Sequence, residues 1–215
     1  MERPKNIINN YIPHSFLIIM FTVGIIGHLL PLLYPLMITL TPYTLLLTGS
    51  VVLFGYRKEL SKNLIIWFIS VFLITFLLEV AGVKTGMVFG NYSYTHVLGF
   101  SIFSVPLIIG FNWSVIILGS VIIAAKLTKN AFLASLVAAL IALLFDFLLE
   151  PVAIKLSYWI WDANVVPVQN YIAWFTIAFL SSLAFFLTNK HLEEKLAAFY
   201  LLVQFIFFLA LNLFI

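Results

Sequence analysis

Acidic side chains within long apolar segments are the residues of this sequence best suited to chemistry. Glu79, Asp146 and Glu150 each interrupt such a segment, and Asp162 follows in the next polar connection. An acid within a membrane span costs about 2.5–3.5 kcal/mol on insertion scales, and by default it faces the bundle interior as a candidate functional residue. The remaining four carboxylates lie beside basic residues and are interpreted as solvated loop charges: Glu2, Glu59, Glu193 and Glu194.

Asp146 and Glu150 are four residues apart and therefore share one face of a helix. Two carboxyl groups this close in an apolar site do not readily ionise together, so a neutral acid can stand beside an anion. That pair could act as general acid and general base. The structural alternative is that one of them accepts hydrogen bonds and locks the helix end. For Glu79 the alternative is an ion pair with Lys84, and Asp162 is interpreted as a loop cap.

Aromatic and amide side chains accompany the acids along the chain. Tryptophan and tyrosine belts occur at every membrane interface, so part of this set is expected only to anchor the protein. Electron-rich rings beside an acid also suit a developing carbocation through cation–π attraction. We predict a substrate-binding set from these residues: Tyr92, Tyr94, Asn112, Trp113, Trp159, Trp161, Asn170 and Trp174. Tyr171 is expected at the same depth in the bundle. His28 and His96 are isolated in the sequence and do not predict a metal site.

The composition indicates which elements must position these side chains. The chain is 64% hydrophobic and 9% charged, with a mean hydropathy of +1.16, far more apolar than the roughly 45–50% of soluble domains. Each apolar stretch is long enough to cross about 30 Å of hydrocarbon, and in lipid each must be a helix. We predict an all-α polytopic bundle, a single transmembrane domain over 1–215, with seven spans at about 14–33, 36–56, 64–83, 105–125, 131–154, 168–187 and 196–215.

The distribution of basic residues predicts the orientation, because cytoplasmic loops retain lysine and arginine. Lys84 and Lys155 are alone on one side, and the other nine of the 11 lie on the opposite side: Arg3, Lys5, Arg57, Lys58, Lys62, Lys126, Lys129, Lys190 and Lys195. We predict a cytoplasmic N-terminus, an uncleaved first helix and acids gathered at the external face. The external connection 84–104 is rich in turn formers, and we expect a loop with a partial or re-entrant helix.

Several kinds of chemistry are excluded. The absence of cysteine removes disulfides, thiolate metal sites and cysteine nucleophiles. The net charge of +3 comes from scattered residues, so nucleic acid is not a predicted partner. No GxSxG, P-loop, dinucleotide fingerprint or HExxH is present, and the last span has no lysine for a retinal Schiff base. We predict no cofactor.

An ordered set of residues over 79–174 resembles the membrane carotenoid biosynthesis family that includes the CruF-type carotenoid 1′,2′-hydratases. The residues that carry this resemblance are Glu79, Gly82, Gly86, Phe89, Gly90, Tyr92, Tyr94, Val105-Pro106, Asn112-Trp113, Asp146, Glu150-Pro151, Trp159, Trp161, Val166-Pro167, Asn170 and Trp174. The pattern departs from the family at 162–166, where Asp162-Ala-Asn-Val165 replaces a Gly- and Tyr-rich segment.

The resemblance implies a multi-pass enzyme of a prokaryotic plasma membrane that adds water to the terminal double bond of an acyclic carotenoid without a cofactor. Asp146 and Glu150 would share the acid and base roles, with Glu79 as an alternative acid or water positioner. The implied partners are the lipophilic carotenoid, the lipid bilayer and other enzymes of the pathway.

Three alternatives remain open at this point. A lycopene-cyclase-like enzyme begins with the same protonation but excludes water. A proton-coupled small-molecule transporter also uses intramembrane acids, although no inverted repeat is evident and the acids gather at one face. A scaffold for other carotenoid enzymes would need no carboxylate chemistry.

Overall fold

The computed structural model describes residues 5–162, 164–189 and 192–215, with side chains from residue 11 onward. Seven helices in this part of the chain are long and apolar enough to cross a membrane. They confirm the predicted all-α bundle: α1 Lys5–Leu29, α2 Tyr34–Gly55, α3 Lys62–Thr85, α4 Leu107–Leu127, α5 Ala131–Lys155, α6 Val168–Thr188 and α7 Leu196–Phe214. A short 3₁₀ turn, Tyr56–Lys58, follows α2.

Helix α4 forms the centre of the bundle and packs against α2, α3, α5, α6 and α7. Two of its glycines allow close approach to the backbones of neighbouring helices. A Cβ at Gly110 would lie 3.0 Å from the Phe72 carbonyl oxygen of α3, and a Cβ at Gly119 would lie 2.5 Å from the Ala197 carbonyl oxygen of α7. Small residues at such positions let helix backbones pack closely in lipid, where burial of apolar surface does not drive helices together.

The helix ends follow from local sequence signals. Ser61 Oγ accepts from the Leu64 amide at 3.1 Å and caps the start of α3. Asn130 Oδ1 does the same for α5 through the Leu133 amide at 3.0 Å. Helix α3 ends at Thr85, and the next residue, Gly86, has a φ of 66°, the left-handed conformation typical of a glycine that ends a helix. These caps set where α3 and α5 present their acidic residues.

The connection after α3 contains strands rather than the predicted partial or re-entrant helix, and that prediction is wrong. Strands β1 Tyr92–Tyr94, β2 Ser101–Ile102 and β3 Val105–Pro106 occupy it, and β4 Trp159–Trp161 lies in the connection after α5. β1 pairs antiparallel with β4, and β2 pairs with β3.

Backbone conformation explains why no helix forms there. Gly90 and Gly99 have φ values of 107° and 79°, and Phe103 and Ser104 also adopt positive φ, so no helical run develops between them. The backbone polar groups of this connection are satisfied across the chain instead, as when the Thr95 amide donates to the Tyr158 carbonyl at 3.1 Å.

Strands β1 and β4 cover the bundle end where α3 and α5 finish and where α4 and α6 begin. The basic residues of the connections α2–α3 and α4–α5 lie at the opposite end. No membrane is part of the structure, so the predicted orientation stays a prediction. Arg3 and Lys190, which contribute to it, and the loop charge Glu2 lie outside the described residues, as does the side chain of Lys5.

Candidate active site

Three carboxylates from two helices line one buried cavity. Glu79 lies on α3 less than two turns before Gly86, and Asp146 and Glu150 lie one turn apart on α5. Their exposed fractions are only 3%, 1% and 2%, respectively. The structure therefore brings together the three acids that the sequence singles out as catalytic candidates.

Glu150 accepts hydrogen bonds from three side chains. The indole nitrogens of Trp159 and Trp161 donate to its Oε2 at 2.9 and 3.0 Å. Asn170 Nδ2 donates to its Oε1 at 3.3 Å and to Asp146 Oδ2 at 2.8 Å. Since an indole N–H can only donate, both tryptophans are suited to an ionised Glu150.

Glu79 is held by two tyrosines. The Tyr92 hydroxyl donates to Glu79 Oε2, and the Tyr94 hydroxyl lies close to the same carboxyl group. Burial, together with the nearby carboxylate of Glu79, holds the pKa of Tyr92 and of Tyr94 above the ordinary tyrosine range. Both phenols therefore remain protonated donors. Lys84 is the alternative partner that the sequence suggests for Glu79. Its Nζ lies 4.8 Å from the centre of the Phe103 ring.

The pairing of β1 with β4 explains how these donors reach two different helices. Tyr92 lies opposite Trp161, and Tyr94 lies opposite Trp159. Because side chains alternate between the faces of a strand, these four point toward the acids, and Ile160 between the tryptophans points outward, 53% exposed. The two-stranded sheet thus presents hydroxyl donors to Glu79 and indole donors to Glu150.

A stack of aromatic rings forms another wall of the cavity. Trp174 lies between Trp113, at a centroid distance of 3.7 Å, and Phe89, at 5.0 Å. Tyr92 and Trp161 add a contact at 4.9 Å. Ring faces of this kind attract positive charge within about 6 Å of the ring centre, so the wall suits a cation formed beside the acids.

The free volume enclosed by the acids and the rings is about 20 Å³. A polar cavity needs about 10–15 Å³ on this measure to hold one water molecule. The cavity therefore fits one water, and a larger ligand group reaches the acids only when a side chain moves.

Other predicted residues lie elsewhere. Asn112 faces α7, where its Oδ1 accepts from Tyr200 at 3.1 Å and from Gln204 at 3.2 Å. Asp162 is exposed, and its backbone amide donates to the Asn91 carbonyl. The structure thus brings seven of the eight predicted substrate-binding residues to the cavity and leaves Asn112 outside: Tyr92, Tyr94, Trp113, Trp159, Trp161, Asn170 and Trp174.

Two other residues that the sequence analysis considered, Tyr171 and His96, do not line the acid cavity. Tyr171 packs against Phe147 at a ring distance of 5.9 Å, and His96 is not among the cavity residues. Within the described part of the chain, no group of three acidic or histidine side chains has an arrangement that could hold a metal ion.

The sequence model of a family described as carotenoid biosynthesis protein matches residues 39–215. The chain belongs to this family. The match includes the three acids, both strands that cap them, helices α3 to α7 and most of α2. No curated protein and no solved structure matches the chain.

Membership of the carotenoid biosynthesis protein family assigns this multi-pass membrane protein to the carotenoid pathway. It fits the buried, mainly aromatic surroundings of the acids, which suit a lipophilic substrate. Three residues that line the cavity are absent from the sequence-based set: Phe89, Ile109 and Leu149. Only Phe89 carried a signal, as part of the Gly- and Tyr-containing motif, whereas the other two resemble any apolar residue of a span.

Proposed function

We propose that this carotenoid biosynthesis protein adds water to the terminal double bond of an acyclic carotenoid end group. The observation that carries the proposal is the shared amide of Asn170, which donates to both Asp146 and Glu150 one helical turn apart. It couples two carboxyl groups in different surroundings, because Glu150 has two further donors and Asp146 has none among the described residues. A hydration of this kind needs one neutral acid and one anionic base at the same place.

Glu150 is the base. Two indole donors and one amide donor converge on it, and hydrogen bonds to an ionised acceptor are about twice as strong as neutral ones. Neither indole can accept a hydrogen bond from a neutral Glu150. The anion is therefore the form that this environment stabilises.

Asp146 is the acid. Within the described residues its side chain has a single hydrogen-bond partner, Asn170, which contacts Oδ2. The Asp146 and Glu150 side chains are only 1% and 2% exposed. If both were ionised, the two negative charges would repel each other at low dielectric, so one of the two carboxyl groups stays neutral. Glu79, held by its tyrosines, positions the water or replaces Asp146 as the donor.

The reaction balances without a cofactor. Asp146 donates its proton to C2 of the trisubstituted alkene, and the π electrons of the double bond form the new C–H bond. This leaves a tertiary cation at C1, stabilised by the ring stack around Trp174. Water attacks C1, Glu150 takes the released proton, and return of that proton to Asp146 restores the starting state. The product is a tertiary alcohol.

A groove between α3 and α6 supports access of the polyene from the bilayer. It has a free volume of about 460 Å³ and is lined mainly by apolar side chains of the two helices and by Val88. Along α3 it extends from Trp67 to Leu78, roughly 16 Å of helix. Trp67 Nε1 donates to the Ser181 carbonyl at 2.8 Å and joins the two helices within the groove.

The groove and the acid cavity meet at residues that are neighbours in sequence. Leu78, Val88 and Ala173 line the groove, and the residues that directly follow them, Glu79, Phe89 and Trp174, line the cavity. Phe89 and Trp174 therefore line the cavity directly beside residues that line the groove. Their movement would admit the end group to a cavity that otherwise fits one water.

The second candidate is cyclisation of the same end group. It starts with the same protonation and needs water kept away from the cation, and the small, ring-lined cavity favours it. The two reactions differ in the mass of the product, because hydration adds one water and cyclisation adds nothing.

Expression of the chain in a host that accumulates lycopene, followed by liquid chromatography with mass detection of the pigments, tests the proposal. We expect new pigments heavier by one or two waters, with an unchanged polyene absorption spectrum. A new pigment of unchanged mass identifies a cyclase. An unchanged pigment profile, in membranes that contain the protein, contradicts both.

A further inference from the structure

A second cavity lies between α1, α2 and α7, and it shares none of its lining residues with the acid cavity. Its free volume is about 110 Å³, and its walls are mainly apolar. An engineered apolar cavity of 150 Å³ is large enough for benzene. This cavity is smaller than that one, and its volume suits the branched end of a hydrocarbon chain.

His28 contributes an unpaired acceptor to the cavity. Its Nδ1 lies 2.7 Å from the Gly24 carbonyl oxygen, and because that oxygen can only accept, Nδ1 carries the proton. In the neutral imidazole Nε2 is then an acceptor. Nε2 is buried without a hydrogen-bond partner among the described residues, and the side chain is 7% exposed.

Gln204 adds a second acceptor. Its Nε2 donates to Asn112 at 3.2 Å, which leaves Oε1 as the other polar atom of the amide. Oε1 is buried without a partner in the described part of the chain. A buried polar group left unpaired costs roughly 1–3 kcal/mol, so two of them beside one cavity are unusual for a purely structural element.

Tyr158 supplies a donor to the same cavity. Its hydroxyl lies 3.4 Å from Thr41 Oγ1, a long contact, while Thr41 itself donates to the Met37 carbonyl. Burial raises the pKa of Tyr158 to about 12, so the hydroxyl keeps its proton. A phenol donor and an imidazole acceptor are the complement of a hydroxyl group, which both accepts and donates.

We propose that this cavity binds the hydroxyl-bearing end of an apolar chain, with the hydroxyl donating to His28 and accepting from Tyr158. The ligand class is an isoprenoid alcohol, either the alcohol formed in the proposed hydration or another prenyl alcohol of the membrane. The chain reaches the cavity from the bilayer. Val23 of α1 and Leu40 of α2 line it and are 53% and 39% exposed on the outer surface of the bundle.

Binding of labelled farnesol to the purified full chain in lipid nanodiscs tests this site. We expect saturable binding, with the hydrocarbon farnesene competing about tenfold less well, because it lacks the group that pairs with His28 and Tyr158. A chain of the same length ending in a dimethylcarbinol group separates the two sources. Stronger competition by it than by farnesol indicates the hydration product, and weaker competition indicates a primary prenyl alcohol.

Substitutions at residues that line the cavity test whether farnesol binds there. His28→Leu and Tyr158→Phe should each weaken farnesol about fivefold and leave farnesene unchanged, and Thr44→Phe should fill the cavity and abolish binding of both. His14→Leu is the control, since His14 lies on the same helix against Phe199, away from the cavity.

Two results would overturn the proposal. The first is the absence of saturable farnesol binding, which would mean that water alone pairs with these atoms. The second is equal competition by farnesene and farnesol in the wild-type protein. Neither result depends on the acid cluster, so loss of the hydration proposal would leave this test intact.

Discussion

Tyr92 and Trp161 lie directly opposite each other across the β1–β4 pair, yet they donate to carboxyl groups on different helices. Tyr92 donates to Glu79 on α3, and Trp161 donates to Glu150 on α5. One short sheet thereby ties the ends of two helices to each other through their acids. Hydrogen bonds of this kind stabilise the bundle end and, at the same time, fix the orientation of the proposed catalytic groups.

Replacing either acid of α5 by its amide should abolish the new pigment. Asp146→Asn has no proton to give to the alkene, and Glu150→Gln cannot take a proton from water. We expect a loss of product of at least about a hundredfold for each, within the range of 10²–10⁴ typical of general acid–base catalysis. Pigment mass analysis in the lycopene-accumulating host measures it.

Asp162→Asn is the matched control, since Asp162 is an exposed acid in the connection after α5. It should form as much product as the wild type. Full hydration by both Asp146→Asn and Glu150→Gln would leave the carboxylates with the structural role only, which is locking the helix ends.

Removing one indole donor should leave less of Glu150 in the anionic form that accepts a proton, while keeping an aromatic ring in place. Trp161→Phe loses the bond of 3.0 Å to Glu150, and a hydrogen bond to a charged group contributes about 1.5–3 kcal/mol. We expect kcat in isolated membranes to fall about tenfold or more, with little change in KM.

Trp67→Phe provides the comparison for this substitution. It also removes an indole donor, the one that reaches the Ser181 carbonyl within the α3–α6 groove, and Trp67 is not among the residues that line the acid cavity. It should affect substrate binding rather than kcat. Equal kcat for Trp161→Phe and the wild type would rule out a role of the indole in stabilising the anion.

A bulky side chain in the α3–α6 groove should obstruct the polyene. Ile74 lines the groove and is 51% exposed. Ile74→Trp should raise KM for the carotenoid several-fold because the ring occupies the groove. Ile69→Trp, at a position of α3 that is equally exposed but outside the groove residues, should not. Similar KM values for the two variants would contradict access through this groove.

The hydrogen bond from Tyr92 to Glu79 should give the protein a pH-dependent stability. In the unfolded chain tyrosine ionises near pH 10, whereas the pKa of Tyr92 in the fold is higher because of burial and Glu79. Its contribution is therefore complete below about pH 10 and is lost as the pH rises toward the folded-state value.

Melting temperatures of the wild type and Tyr92→Phe in detergent measure this contribution. The variant should be less stable at neutral pH, by about 1–3 kcal/mol for the lost bond to a buried carboxyl group. The difference between the two proteins should shrink as the pH rises beyond about 10. A constant difference from pH 7 to 11 would mean that the Tyr92 hydroxyl does not titrate with unfolding.

The seven helices were predictable because each span must satisfy its own backbone in lipid. The predicted spans agree with the observed helices within a few residues at most ends. At the start of α1 they differ by about nine residues. The connection at 84–104 was not predictable in this way. The backbone of its β1 part bonds to residues 158–162, more than fifty positions away, and no local pattern carries that pairing.

The sequence by itself determined that acids at 79, 146 and 150 would lie at one level of a helical bundle, since an acid in an apolar span faces the interior. Only the tertiary structure decided which donors each acid receives. It gave indoles to Glu150, phenols to Glu79 and a shared amide to Asp146, and it turned Asn112 toward α7. The physical reason is that helix position is fixed by local periodicity, whereas hydrogen-bond partners depend on which distant segments pack together.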